Sequence, residues 1–434
     1  MKYNIKELLN IMIDKILRHI EKLIPIVVYN FLRPYYHFCL SFAGALIYRF
    51  PSRNIKIVAV TGTKGKSSTT EIVNAFLTEA GYKTALSNTI RFKIGDESID
   101  NKYKMSMPGR FYMQRFLRRA VDAKCDYAVV EITSQGAITY RHLFIDMNAL
   151  IFTNISPEHI EAHGSYENYL NAKLSIGDAL AKSKKRPRVL VVNKNDKEAM
   201  KFLEKSADIK ETYSVRDAEP YEIKKEGIDF TLNSEKISSH LSGLFNLYNI
   251  LGAISYVKTE GVSNGIIKVA LDKLGGIPGR VQNIEAGQDF KVIVDYAHTP
   301  DSLEKVYQVF EHTRMICVLG NTGGGRDTWK RKDMALIADK YCDEIILANE
   351  DPYDEDPMKI VSKMKSFLPE NRGQIIIDRR EAINKAISLA RAGDTVIITG
   401  KGTDPYIMTA NNTKIEWSDA KVAYEEIKNI HNKK

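Results

Sequence analysis

From residue 54 onward, short apolar runs alternate with stretches whose apolar residues recur at helical spacing. IKIVAV (55–60), DYAVVEI (126–132), ALIFTNI (149–155) and RVLVVN (188–193) are apolar nearly throughout and bounded by turn residues. Such strands, separated by helical stretches like the one opening at Lys66 and the one around 165–184, predict a buried parallel sheet. Between about 209 and 242 the texture changes to polar–apolar alternation, as in YEI and IDFTL. This predicts a small antiparallel addition, and two helices follow at 244–260 and 264–275. Glycine and proline then cluster in LGGIPGR (274–280), a linker signal. After it the alternation restarts with FKVIVDYA, MICVLG, EIILANE, QIIID and TVIITG. The pattern predicts two α/β domains joined by a glycine hinge, with a ligand cleft at strand carboxyl ends.

The first 50 residues differ. Residues 23–50 are rich in apolar and aromatic side chains but are interrupted by Pro25, Arg33, Pro34, His37 and Arg49. No unbroken run approaches the roughly 20 residues of a spanning helix, and no small-residue cleavage site follows a short apolar core. Two readings stand: helices packed on the main body, or an interfacial hairpin with Tyr, Phe and Arg at headgroup level. A length of 434 residues favours more than one core. The net charge of +9 is spread along the chain. Without any motif that reads RNA or DNA, it indicates anion binding and not a nucleic-acid partner. Cys39, Cys125, Cys317 and Cys342 form no C-x-x-C pair, so neither a disulfide framework nor a zinc site is expected, and a reducing cytoplasm is the expected compartment.

The candidate chemistry begins at VAVTGTKGKSSTTE (58–71), where an apolar strand feeds a glycine turn and then a helix. Gly62 and Gly65 permit close backbone approach, and the helix N-terminus offers N–H groups to phosphate oxygens. Lys66 is placed to neutralise β- and γ-phosphates, and Ser67 to hold Mg²⁺ through its hydroxyl. The full pattern G-x-x-x-x-G-K-[ST] requires a glycine at position 60, where this chain has Val60.

T-G-T-K-G-K-S-S resembles the shorter phosphate loop of the Mur ligase superfamily, G-T-x-G-K-[ST], and the other blocks of that family follow in order. VVEITSQG (129–136) is similar to E-V-S-S-H, and TNISPEHIEAHGSYENYLNAK (153–173) to T-N-[LI]-x-x-D-H-L-D-x-H-G…A-K. GLFNLYN (243–249), IPGR (277–280), VDYAHTPDSL (294–303) and GNTGGGRDTWKR (320–331) complete the series. Tyr296 and Thr299 set the chain apart from folylpolyglutamate synthases and towards the branch that adds the third amino acid of the peptidoglycan stem.

The resemblance implies a central P-loop ATPase domain with a parallel sheet at 53–278 and a Rossmann-like α/β domain at 279–434. A short apolar segment, 1–52, precedes them. It implies ATP, two Mg²⁺ ions and a carbamylated Lys173. Lys66, Glu131, His159 and Lys173 are the implied catalytic set, with Ser67, Glu131, His159 and Lys173 as metal ligands. The nucleotide would be held by Gly62, Thr63, Lys64, Gly65, Lys66, Ser67 and Ser68, by Asn246 and Asn249 at adenine, by Arg280, by Asp295 at ribose, by His298 and by Arg326. Ser106, Ser134, Arg141, Lys330, Arg331, Asp351, Tyr353, Gly400 and Asp404 are implied substrate contacts. The implied activity is ATP-dependent addition of a free amino acid to a muramoyl-peptide carboxylate through an acyl phosphate, by a cytoplasmic monomer. Polyglutamylation of a folate-like cofactor, another amide ligation, or a nucleotide-binding partner subunit are the alternatives.

Three departures stand out. No βαβ pattern for holding uridine diphosphate precedes the central domain, so a lipid-linked acceptor read at the inner face of the membrane is an alternative to a uridine-linked one. NEDPYDEDP (349–357) places Asp351 and Tyr353 where diaminopimelate ligases have the asparagine and arginine of D-N-P-R. Loss of that arginine favours L-lysine or ornithine as the incoming residue. GKGTDPY (400–406) replaces G-K-G-H-E, leaving Asp404 for the incoming amine.

Overall fold

The computed structural model describes residues 26–158, 160–325 and 328–431. The four apolar runs of the first half become β1 (Lys56–Thr61), β5 (Tyr127–Glu131), β6 (Ala149–Phe152) and β7 (Val189–Asn193). They lie side by side and parallel, β5-β1-β6-β7, at the centre of an eight-stranded sheet. Alternate residues serve opposite faces. Val58 and Val60 pack with Ile72 and Phe76 on one side, while Ile57 and Ala59 pack with Phe116 and Leu170 on the other. Val60 is fully buried there, so the position where a longer phosphate loop carries glycine is still core strand.

β2 (Thr84–Ser87) extends the sheet in parallel, and β3 (Arg91–Ile94) and β4 (Glu97–Asp100) close that edge as an antiparallel hairpin. β8 (Ile209–Tyr213) adds to β7 in parallel, so the predicted antiparallel addition begins later than 209. It comprises β9 (Tyr221–Lys224), β10 (Gly227–Leu232) and β11 (Glu235–Ser239). The two helices expected next span Leu244–Thr259 and Asn264–Lys273.

The second half builds its own sheet from β12 (Gln282–Asn283), β13 (Lys291–Val294), β14 (Met315–Leu319), β15 (Glu344–Leu347), β16 (Gln374–Ile375) and β17 (Thr395–Ile398). Their order is β12-β13-β17-β14-β15-β16, parallel except for β12, with a separate core on each face. Cys317 on β14 and Cys342, just before β15, are joined by a disulfide across neighbouring strands, although none was expected from the spacing. Cys39 and Cys125 are free.

Ile26–Ile47 forms one helix continuing through the exposed Pro34, not a hairpin or helix pair within these residues. One side packs on the Arg110–Asp122 helix, burying Ser41 and Ala45, and the rings of Phe38 and Phe42 meet Phe144 at 5.3 and 5.5 Å. Phe31, Leu32, Tyr35, Tyr36 and Leu46 are exposed. Among the described residues, no helix is long and apolar enough to cross a membrane.

Candidate active site

β1 ends in the turn Gly62–Gly65, which runs into the helix Lys66–Glu79. Gly65 has φ 81°, and a Cβ there would lie 2.2 Å from Asn249 Oδ1, so only glycine fits. Asn154 clamps the loop, accepting from Thr63 N at 2.7 Å and, through its side chain, from Lys64 N at 2.9 Å. Lys66 Nζ donates to Thr63 O at 2.8 Å and lies 4.0 Å from Glu131 Oε1. Burial pushes the Lys66 pKa down, against the pull of Glu131 and Glu158.

Glu131 closes β5 beside this loop, as its position at the end of an apolar strand foretold. Its Oε2 accepts from Ser67 Oγ at 2.7 Å, and Thr89 donates to it through both backbone N and Oγ1 at 3.1 Å. A carboxylate and a hydroxyl side by side next to a phosphate loop suit Mg²⁺, which keeps several waters and takes its remaining ligands from phosphate. Among the described residues there is no cluster of three His, Cys, Asp or Glu that could hold a metal by itself. His159 lies outside the described residues.

Lys173, on the helix Tyr166–Ala181, is almost fully buried and donates to Gly62 O at 2.6 Å. Its Nζ sits 4.9 Å from the Tyr169 ring centroid. Burial first, then the neighbouring Lys66, drives its pKa well below the ordinary lysine range. The neutral amine this favours is the form that reacts with CO₂.

The loop opens on a cavity of about 770 Å³ between the two sheets. Thr63, Lys64, Gly65, Lys66, Ser67, Ser68 and Glu131 line it, with Ser106, Ser134 and Arg141 on one side. From the second half come Arg280, Asp295 and His298. Ser106 shares a hydrogen bond with Thr89 (2.7 Å), Ser134 with His163 Nε2 (3.2 Å), and Arg141 donates to Met107 O. His298 Nε2 is 3.3 Å from Glu158 Oε1, which also takes Lys64 Nζ at 2.9 Å, so one central-domain carboxylate ties the loop to the second domain. The guanidinium of Arg280 stacks 4.6 Å above the Tyr296 ring.

Several expected contacts differ. Asn246 donates to Ser242 O (2.8 Å) and accepts from Asn249 (3.1 Å), so both ends of its amide are engaged inside the protein. The pair braces the phosphate loop; only Asn249 reaches the cavity. Asp295 accepts the backbone N–H of Val281 and Ala297, each at 2.7 Å, and fastens the hinge to the end of β13. Arg331 forks onto Glu355 with two 2.8 Å bonds. Lys330 is buried at the start of the Lys330–Tyr341 helix. Arg326 lies outside the described residues.

Asp351 and Asp404 meet in a four-membered ion network that no motif indicated. Lys104, from the central domain, reaches across to both at 2.7 and 3.0 Å, and Lys401 lies 2.8 and 3.5 Å from them. These partners hold the Asp351 carboxyl below its usual range despite burial, which opposes them. Tyr353 adopts φ 50° and its N–H donates to Met408 O at 3.1 Å. Gly400, with φ 106°, passes so close to Glu350 that a Cβ would lie 2.3 Å from Oε2. Lys104 sits in an ordinary polar loop and Lys401 in a glycine turn, so only the packing of the two domains brings them together.

A phosphate loop at the edge of one parallel sheet, facing the strand ends of a second α/β domain across a glycine hinge, defines a two-domain nucleotide-using enzyme. Residues 60–257 match the Mur ligase middle domain, and residues 279–402 match the Mur ligase glutamate ligase domain. The UDP-N-acetylmuramoyl-L-alanyl-D-glutamate–2,6-diaminopimelate ligase of Syntrophomonas wolfei is 37% identical over 401 residues, covering 89% of this chain and 81% of the relative. The enzyme of the same name from Clostridium tetani is 33% identical, covering 90% and 81%. Among solved structures, one of a UDP-N-acetylmuramoyl-L-alanyl-D-glutamate–2,6-diaminopimelate ligase superposes with TM-score 0.61 at 27% identity, covering 87% of this chain and 79% of that one. Folylpolyglutamate synthase of Mycobacterium tuberculosis superposes with TM-score 0.70 at 17% identity, covering 84% and 93%, a likeness of fold. The chain belongs to the Mur ligase family and is an ATP-dependent ligase forming carbon–nitrogen bonds.

Proposed function

We propose that this ligase adds an amino acid to a carboxylate of a muramoyl-peptide precursor in peptidoglycan synthesis. One observation carries the reading: the phosphate loop, Glu131, the acceptor-side residues Ser106, Ser134 and Arg141, and the second domain's Arg280 and His298 share one cavity. Lys66 draws charge off the γ-phosphoryl group while an acceptor carboxylate oxygen attacks phosphorus; the bond to ADP breaks and an acyl phosphate forms. The incoming amine then adds to the acyl carbon, loses a proton, and expels phosphate. Mg²⁺, when bound through Ser67 and Glu131, supplies further neutralisation of phosphate charge. The Glu158–His298 and Lys104–Asp351–Asp404 contacts bring the second domain over the cavity and keep water from the acyl phosphate.

Two refinements belong to the same proposal. Lys173 carries a carbamate in the working enzyme, supporting a second Mg²⁺; its burial and lowered pKa favour that chemistry. The incoming residue is L-lysine or ornithine. Asp351 and Asp404 already grip two alkylammonium groups, those of Lys104 and Lys401, and Tyr353 stands where an arginine would hold a distal carboxylate. The exposed aromatic side of the Ile26–Ile47 helix further supports contact with the inner membrane surface.

Phosphate release from ATP, measured with muramoyl dipeptide and a panel of amino acids, tests the reading. Release that needs the dipeptide and is greatest with lysine or ornithine supports it. Release only with folate and glutamate, or without any acceptor, refutes it.

A further inference from the structure

Where the N-terminal helix meets the central domain, arginines gather with no carboxylate beside them among the described residues. Arg33 and His37 lie one turn apart on the Ile26–Ile47 helix, and Ser41 anchors the next turn by donating to Tyr140 O at 2.7 Å. His37 Nδ1 is 2.5 Å from Arg110 Nη2. A guanidinium can only donate, so Nδ1 accepts and the neutral ring carries its hydrogen on Nε2. Burial, then Arg110, Arg33 and Arg141, pushes the His37 pKa down to about 4, which keeps the ring neutral. That Nε2 is buried and has no partner, and neither has Nε of Arg141. Among the described residues, the charges acting on Arg110 and Arg141 include no carboxylate. Arg110 spends Nε on Thr139 O at 3.0 Å, which holds its guanidinium beside the Ser134–Ile138 helix. Arg141 also lines the active-site cavity next to Ser106 and Ser134.

Buried N–H groups without an acceptor, here His37 Nε2 and Arg141 Nε, are costly unless a ligand completes them. Guanidinium forks match phosphate oxygens, and an imidazole N–H adds a further donor. We propose that Arg33, His37, Arg110 and Arg141 form a binding site for a phosphate or diphosphate group carried by the acceptor. It is separate from the ATP loop. The N-terminal helix is thus a substrate-reading element, a role that rests on the ligase reading above. The group can come from a soluble nucleotide-linked acceptor or from a lipid-linked one presented on a bilayer.

The test separates this site from the activity. With the phosphate loop saturated by ADP and Mg²⁺, calorimetric titration of the full chain with inorganic pyrophosphate should reveal one further site. Arg33→Gln combined with Arg110→Gln should weaken it at least about tenfold. In turnover, the same double variant should lower kcat/KM for a diphosphate-bearing acceptor, relative to that for phosphate-free muramoyl dipeptide, by a similar factor. Running that assay with a nucleotide-linked acceptor in solution and a lipid-linked one in vesicles identifies the source. Absence of the further pyrophosphate site, or equal loss on both acceptor types, overturns the proposal. If the wild type turns over no acceptor, the ligase reading fails while the titration still decides the site. Should the double variant melt early, Arg33→Gln alone, at an exposed position, gives the same comparison.

Discussion

Lys66 and Lys173 flank a single turn of backbone, one donating to Thr63 O and the other to Gly62 O. Lys173 is buried and Lys66 half-buried, and the charge of Lys66 makes that of Lys173 harder to hold. Their fates differ because Lys66 faces the cavity with Glu131 and Lys173 lies behind the loop. Lys66→Ala should lower turnover by about 10²–10³-fold, the usual loss when one fixed donor to a transition-state oxyanion is removed; a near-normal phosphate-release rate would show that it does not touch the reacting group. For Lys173 the sign follows from its lowered pKa. Below that value the amine is protonated and cannot take up CO₂; above it the neutral amine can. Enzyme depleted of CO₂ should therefore regain activity with bicarbonate at alkaline pH and lose that response as pH falls. A carbamate carbon signal in ¹³C NMR, absent in Lys173→Ala, checks the site directly.

Among elements, the polar loop between β4 and the Arg110–Asp122 helix matters more than its composition indicates. Lys104, within it, is the central domain's hold on Asp351 and Asp404. Lys104→Met leaves Lys401 as the remaining cation on those carboxylates among the described residues and should loosen closure: faster hydrogen exchange in residues 101–109 and a raised KM for the amino acid are expected. Unchanged exchange would mean that the bridge does not restrain the loop. Within the second domain, Arg379 and Asp419 form a pair that is almost wholly excluded from water, with bonds of 2.8 and 2.7 Å. Asp419→Ala strands a buried guanidinium, so urea unfolding should show a loss of about 3–5 kcal/mol. A loss below 1 kcal/mol would mean that water reaches Arg379 once its partner is gone.

For the whole molecule, function depends on two separately cored sheets meeting at one cavity, with a helix packed on the central domain that leaves an outward side of aromatic rings. If that outward side rests on lipid, the full chain should float with anionic liposomes at low salt. Removing residues 1–50 should abolish flotation, and raised salt should weaken it, because the basic contribution is screened. A full chain that stays at the bottom of the gradient would assign those rings to another protein surface.

The order of strands and helices, the shortened phosphate loop and the carboxylate at the end of β5 were legible in the chain itself. Each is a local matter: apolar runs of strand length, glycine where backbone must turn, and a polar residue where a buried strand surfaces. The boundary at β8 was not legible, because a polar edge strand of a parallel sheet reads like one strand of a hairpin. Asn246, Arg331 and Asp351 share a motif-level expectation of binding ligand, and the partners that the fold gives each inside the protein were not legible. The partners of Lys104 and Lys401, and the meeting of Arg33, His37 and Arg110 with Arg141, carry no signal along the chain, since a lone lysine or arginine is ordinarily a solvated side chain. What tertiary structure alone decided is which charges lose water and which partners they find. Those energies depend on burial and distance between residues far apart in sequence, and no local pattern records either.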